Sequence, residues 1–284
     1  MNTIHQGENP PDVRALLRRF RLRPDKELGQ NFLLDQDELR KIISFSDLSG
    51  DEWVVEIGAG LGSLTYYLSQ AAQHVIAIEY DKRLVPVLEL LFGRYENVEL
   101  VAADILKLNL EDFVGDRPYQ IIANIPYNIT SVLIRRLLES SNSPSRMILT
   151  LQKEVAERIV ASQGQFSLLT LSVRVYGDPQ IMGTIPAKAF YPQPQVDSAI
   201  LRIDLHPSPI VPAELLPKFF QLAKIGFHQR RKQLKNSISG GLGIPKDLAS
   251  EWLGLAGITP TQRPQELGVE AWVRLAEVFS CQQE

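Results

Sequence analysis

Short apolar runs alternate with stretches of helical periodicity along the first 150 residues. Trp53–Ile57, His74–Glu79, Val98–Val101, Tyr119–Ala123 and Arg146–Leu151 are too short for helices and rich in Val, Ile and Leu, which predicts buried strands. Amphipathic spacing predicts helices between them: one ending near Ala72, then Asp81–Arg94 and Ile129–Ser140. Strands alternating with helices make a parallel, doubly wound sheet covered on both faces. The stretch 185–196 carries Pro186, Pro192 and Pro194 and is expected to be an ordered loop. Ala199–Leu205 alternates as a strand, His206–Pro209 is a linker, and Ala213–Phe227, Arg231–Ser239, Lys246–Leu253 and Pro264–Phe279 are expected helices. The expected organisation is an α/β domain over residues 1–205, with a basic extension at 1–27, and a small helical domain over 206–284.

Candidate chemistry collects at the carboxyl ends of the strands. Trp53–Ile57 runs into Gly58-Ala59-Gly60-Leu61-Gly62, where glycine permits a tight strand-to-helix turn and close approach of a ligand. Such a turn serves NAD, FAD or S-adenosylmethionine equally, or structure alone. Glu79 closes the second strand, where a carboxylate can accept from the two ribose hydroxyls of a nucleoside cofactor. Asp104 follows the third strand and can accept from an adenine amine or simply hold a turn. Gly58, Glu79, Asp104 and Asn124 share the strand-end placement of a ligand crevice.

Asn124-Ile125-Pro126-Tyr127 follows the fourth strand. The Asn124 side-chain oxygen and the Ile125 backbone carbonyl can supply two acceptors for the two N–H bonds of an exocyclic amine such as adenine N6. That nitrogen is a poor nucleophile because its lone pair is delocalised into the ring, so a catalyst must hold it in line with a methyl donor. Pro126 stiffens the turn, and Tyr127 offers a flat ring for stacking on an extruded base. No general base is needed, since the leaving group is neutral and the proton can depart afterwards; positioning and electrostatics carry the rate.

Charge distribution changes the picture more than composition. The formal net charge is −3. Yet Arg14, Arg18, Arg19, Arg21, Arg23 and Lys26 face two acids between Asp12 and Lys26, and Lys224, Arg230, Arg231, Lys232 and Lys235 face none. Two basic patches on an acidic body suit a phosphate backbone as well as they suit solvated helix faces. The single cysteine, Cys281, excludes an internal disulfide framework and a Cys-rich zinc site, and no metal is expected. No apolar stretch reaches about 18 residues and the first residues carry no apolar signal core, so neither a membrane span nor a secretory leader is expected.

These motifs resemble the small-subunit ribosomal RNA adenine N6,N6-dimethyltransferases over nearly the whole chain. Leu28-Gly29-Gln30-Asn31-Phe32-Leu33, Leu151 to Arg158, and Ala189 to Ser198 are similar to that family. The resemblance implies a Rossmann-like seven-stranded methyltransferase sheet whose last strand is antiparallel, with a helical C-terminal domain. It implies S-adenosylmethionine as cofactor, held by Asn31, Leu33, Gly58, Glu79, Asp104 and Asn124. Phe190 is then expected near the target base, opposite Tyr127; without the resemblance it reads as a packed loop aromatic. Phe227 to Ser237 resembles the start of the family's C-terminal basic helix, which implies RNA phosphate contacts for Arg230, Arg231, Lys232 and Lys235. The implied substrate is two adjacent adenines in a hairpin loop near the 3′ end of 16S rRNA, met naked or in the assembling 30S particle, by a cytoplasmic monomer. Phe166-Ser167-Leu168-Leu169-Thr170 departs from the family's Tyr-Gly-x-Leu-Ser pattern, leaving Gly164 to supply any glycine-dependent turn.

Three other readings stand beside this one. A resistance-type dimethyltransferase of large-subunit rRNA shares the cofactor and Asn-Ile-Pro-Tyr motifs, but the Gln229-Arg230-Arg231-Lys232 segment and the Val196-Asp197-Ser198 end of the proline loop argue against it. An RNA-binding assembly factor draws on the same basic patches. A nicotinamide oxidoreductase shares only the glycine turn.

Overall fold

A computed structural model of the chain describes residues 9–282. The strands are β1 (Phe32–Leu33), β2 (Trp53–Ile57), β3 (His74–Glu79), β4 (Val98–Ala102), β5 (Tyr119–Asn124), β6 (Arg146–Gln152), β7 (Gly177–Ile185), β8 (Phe190–Tyr191) and β9 (Ser198–Leu205). The helices are α1 (Val13–Arg19), α2 (Gln36–Ser44), α3 (Ser63–Ala71), α4 (Val85–Phe92), α5 (Glu111–Val114), α6 (Thr130–Leu138), α7 (Lys153–Val160), α8 (Leu168–Tyr176), α9 (Leu216–His228), α10 (Leu234–Leu242), α11 (Lys246–Leu255) and α12 (Val269–Cys281).

Seven strands form one sheet in the order β4-β3-β2-β5-β6-β9-β7. Strands β2 to β6 pair in parallel, and β9 lies antiparallel to β6 with Gln152 opposite Ser198. The expected seven-stranded Rossmann-like sheet is therefore present. The central strands are buried apolar runs, as a parallel sheet covered by helices requires. After β4 the chain returns to the other side of β2, so the carboxyl ends of β2 and β5 flank the point where strand order reverses. That is where open α/β sheets bind ligands. A separate two-stranded sheet pairs β1 with β8 antiparallel.

Several boundaries differ from the sequence expectation for identifiable reasons. The helix expected at Asp81 begins at Val85: the Asp81 carboxylate accepts the Arg83 N–H, which commits these residues to a turn, and Pro86 occupies the first helical turn. Pro217 similarly sets the start of α9. The helix expected from Arg231 begins at Leu234, because Gln229–Lys232 forms a turn closed by the Lys232 N–H and Gln233 is extended. Pro264–Glu266 is a separate 3-10 turn ahead of α12. Strand β7 lies outside the expected elements, since Pro179 and Gly183 read as breakers; it sits at the sheet edge, where a missing N–H is tolerated. The proline-rich stretch 185–196 contains the 3-10 turn Ala187–Ala189 and β8 rather than loop alone.

The chain divides into two compact units. One comprises residues up to Ala156 with Gln180–Leu205, and the other Glu157–Pro179 with His206–Glu284. The helical unit thus includes α8 from the first part of the chain. Its core is formed by Phe219, Leu222, Leu253, Trp272 and Leu275 around Leu171 and Val175. In the sheet unit, Val54, Val75, Ile122 and Ile148 pack against Leu39, Ile42, Leu64 and Leu68. Gly164 takes a left-handed φ of 92° ahead of α8, which Ser167 and Thr170 close with a capping box.

Gly62 enters α3 at φ 82°, and a Cβ there would overlap the Phe92 ring. Gly62→Ala is expected to cost about 3 kcal/mol through overpacking and backbone strain. Urea unfolding of the variant, against wild type, measures this.

Candidate active site

The glycine turn after β2, the ends of β3 and β5, and the segment 28–32 line one cleft of about 270 Å³. Asn31, Gly58, Glu79, Asp104, Asn124, Ile125, Pro126 and Tyr127 all line it. So do Gln30, Phe32, Gly60, Tyr80 and Ile105.

Glu79 is 7% exposed, and each of its carboxylate oxygens accepts one backbone N–H, from Gly60 at 2.7 Å and from Asp81 at 2.7 Å. Burial pushes its pKa above the usual carboxylate range, while these two bonds pull it back. Each oxygen keeps lone-pair capacity for a further donor, so the group fits a ribose diol. Gly58 and Gly60 hold positive φ of 78° and 61°; a Cβ on Gly60 would come within 3.1 Å of the Phe32 ring. Glycine is therefore required for backbone to reach both the carboxylate and the cleft. Asp104 accepts the Leu106 N–H at 3.0 Å and so makes the turn, while its second oxygen lies 3.6 Å from Lys107. The turn-forming role leaves that second oxygen with capacity to accept a further donor. The residues present thus fit an adenosyl cofactor.

Asn124 ends β5, where its side-chain N–H donates to the Asn31 carbonyl at 3.1 Å. Its side-chain oxygen has no partner among the described residues. The Ile125 N–H donates to the Thr150 carbonyl at 3.0 Å, across the β5–β6 register. The Tyr127 hydroxyl shares a hydrogen bond with Ser198 at 2.8 Å, and burial raises the phenol's pKa against the lowering effect of that bond.

Two predicted residues lie outside the cleft lining. Leu33 is buried and pairs with Phe190 across β1 and β8, and Phe190 is 2% exposed within the sheet-unit core. In the helical unit, Arg230, Arg231 and Lys232 stand exposed on the turn before α10, not on a helix, and Lys235 is half-buried on its first turn. Arg230 reaches toward the carbonyls of Gln165 and Phe166, in the segment that departs from the family pattern.

Three supports escape sequence reasoning. Gln30 donates to Asp81 at 2.8 Å, and Arg83 bridges Asp81 at 2.7 Å to Asp25 at 3.2 Å, which holds Asp81 below its usual range. Ser198 gives no signal of its own within the motif that contains it. Glu56, beneath the glycine turn, is 1% exposed with one oxygen unpartnered. Its only sequence signal is a charge inside an otherwise apolar strand. Among the described residues no group of His, Cys, Asp and Glu is placed to hold a metal, and no helix is long and apolar enough to cross a membrane.

Comparison with known proteins gives consistent matches. The family described as ribosomal RNA adenine dimethylase matches residues 21–280. A protein of Dehalococcoides mccartyi (strain CBDB1) named ribosomal RNA small subunit methyltransferase A is 43% identical over 93% of this chain and 91% of its own length. Among solved structures, a dimethyladenosine transferase from Plasmodium falciparum is similar with a TM-score of 0.73 at 25% identity, covering 89% of this chain and 98% of that one. The 23S rRNA methyltransferase ErmE is similar with a TM-score of 0.70 at 26% identity, covering 88% and 100%.

Burial pushes Glu56 up to about 8 from an ordinary 4.5, with Thr65 partly opposing the rise. The folded chain therefore binds a proton that the unfolded chain releases between these values, and stability falls as pH rises from about 4.5 to about 8. Glu56→Gln removes that loss. Its melting temperature relative to wild type is expected to rise by several degrees between pH 5 and pH 9, which thermal melts at the two pH values test.

Proposed function

The chain belongs to the ribosomal RNA adenine dimethylase family, an S-adenosylmethionine-dependent group, and we propose on that footing that it dimethylates N6 of two adjacent adenines in the 3′-terminal hairpin loop of small-subunit (16S) rRNA. The small-subunit target is supported by the 43% identity to a relative of that name and by the basic turn at Arg230–Lys232. The reading places the enzyme in the cytoplasm as a monomer acting during assembly of the 30S particle.

The observation that carries the catalytic reading is the Asn124–Asn31 hydrogen bond. An amide is planar, so a side-chain nitrogen committed to the Asn31 carbonyl turns the side-chain oxygen the other way and leaves it free to accept. With the Ile125 carbonyl it forms a pair of acceptors for the two N–H bonds of the base. Tyr127, steadied by Ser198, supplies the stacking face. Loop adenines suit such a seat because unpaired bases are extruded at low cost. S-adenosylmethionine, when bound by Asn31, Gly58, Glu79, Asp104 and Asn124, supplies an electrophilic methyl group. The chain's own residues orient the amine, exclude water from the cleft and disperse the positive charge that develops on nitrogen. The proton leaves that nitrogen to solvent.

Both transfers use the same seat. Monomethyladenine keeps one N–H donor and dimethyladenine keeps none, so the finished base loses the bonds that retained it. Mass spectrometry of treated 16S rRNA is expected to show dimethyladenine, and exclusive accumulation of monomethyladenine contradicts the single seat. Methylation assays on separated subunit rRNAs distinguish this target from a large-subunit one.

Asn124→Ala is expected to lower kcat by about 10²–10³ and to weaken cofactor binding far less. Equal losses in turnover and calorimetric cofactor affinity contradict the acceptor role. Lys232→Ala is expected to weaken rRNA binding and to reduce the slope of log K against log salt by about one; an unchanged slope places Lys232 off the interface.

A further inference from the structure

A groove separate from the cofactor cleft runs beside α1, lined by Arg14, Leu17, Arg18, Arg21, Arg23 and Tyr191 among others. All four arginines are exposed, and none is paired with a carboxylate among the described residues. The two acids of the same segment are engaged elsewhere. Asp12 caps α1 through the Ala15 N–H, and Asp25 pairs with Arg83. The Arg14 guanidinium lies 5.3 Å from the centre of the Tyr191 ring, and Tyr191 remains 39% exposed. Such a cation resting on an aromatic face makes a flat platform.

Arg21 supplies the sharper observation. It follows α1 with a φ of 53°, in the left-handed region. The Leu22 N–H bonds to the Leu17 carbonyl at 2.9 Å and the Arg21 N–H to the Arg18 carbonyl at 3.3 Å, so Arg21 occupies the position that helix ends usually give to glycine. A side chain there strains the backbone, and the Arg21 guanidinium has no hydrogen bond or ion pair among the described residues. Backbone strain at a side chain with no polar partner points to function. What the side chain does provide is a fourth cation in a groove already holding Arg14, Arg18 and Arg23.

We propose that this groove is a second RNA subsite, which takes the single-stranded segment flanking the extruded adenine, with phosphates on Arg18, Arg21 and Arg23 and one base on the Arg14–Tyr191 platform. The inference rests on the RNA substrate proposed above. Position supports it: Tyr191 pairs with Phe32 in the small sheet, and the Phe32 ring lines the cofactor cleft against Gly60. A strand leaving the cleft therefore meets the groove one strand pair away. Unpaired cations along a channel with an aromatic face are the usual means of holding single strands without reading their sequence.

The test uses the full-length protein and a uridine dodecamer, which contains no adenine and so reports the groove independently of methylation. By fluorescence anisotropy, Arg21→Gly is expected to weaken dodecamer binding about fourfold at 0.15 M salt and to lower the salt slope by about 0.7, one single-strand phosphate contact. Its melting temperature is expected to equal that of wild type or exceed it by up to about 2 °C, because glycine relieves the strain. Arg18→Ala should give the same loss of slope, and Tyr191→Ala about a fivefold loss of affinity with the slope unchanged. Dodecamer affinity and slope unaltered in both Arg21→Gly and Arg18→Ala overturn the subsite. So does an Arg21→Gly variant that melts well below wild type, because the arginine would then serve the fold. If these effects appear while 16S rRNA remains unmethylated, the groove stands and the proposed target falls. If rRNA is methylated and the groove variants bind the dodecamer as wild type does, the target stands and the groove falls.

Discussion

The buried carboxylate of Glu79 is the constraint on which the site depends. A carboxylate at 7% exposure is costly unless its oxygens are met, and here the Gly60 and Asp81 N–H groups meet one each. The first bond ties the glycine turn after β2 to the end of β3. The second starts a relay: Asp81 receives Gln30 and Arg83, and Arg83 reaches Asp25. Gln30 and Asn31 belong to the segment whose Asn31 carbonyl holds the Asn124 amide. The proposed cofactor acceptor and the proposed base acceptor are thus positioned by one hydrogen-bonded system that begins at a single buried carboxyl group.

Most of this framework is legible in the chain. Four of the five parallel strands can be read because each is a mostly buried apolar run, β4 at the sheet edge being only partly covered, and Gly58, Glu79, Asp104 and Asn124 can be placed because strand ends in such a sheet converge. What stays hidden depends on tertiary context. Strand β7 carries Pro179 and Gly183, which local propensity rejects and a sheet edge accepts. The composition of the basic turn at Arg230–Lys232 favours helix, whereas Gln233 adopts an extended conformation. Glu56 is invisible as a functional group because a charge within a strand gives no hint of the depth at which it lies. Resemblance puts Phe190 at the base, whereas its position in the core matches what the residue alone implies.

The uneven charge acquires a structural meaning. A net charge of −3 repels phosphate at long range, yet cations are gathered in two places, the turn before α10 and the groove beside α1. Screening confines the body's negative field to about a Debye length, so local density outweighs the sum. One cluster sits on the turn before α10, and the other runs from α1 (Arg14 and Arg18) into the segment that follows it (Arg21 and Arg23). The left-handed Arg21 marks the cost of that placement.

The proposed seat for the amine contains acceptors only. Asn124 offers an amide oxygen and Ile125 a carbonyl, neither of which titrates in the working range, and the Tyr127 phenol is pushed to higher pKa by burial. A seat of this kind measures N–H donors directly. It grips an unmodified amine with two bonds, a monomethylated amine with one, and a dimethylated amine with none. Retention of the half-finished base and release of the finished one then need no moving part, because each methyl group deletes one of the donors that the site counts.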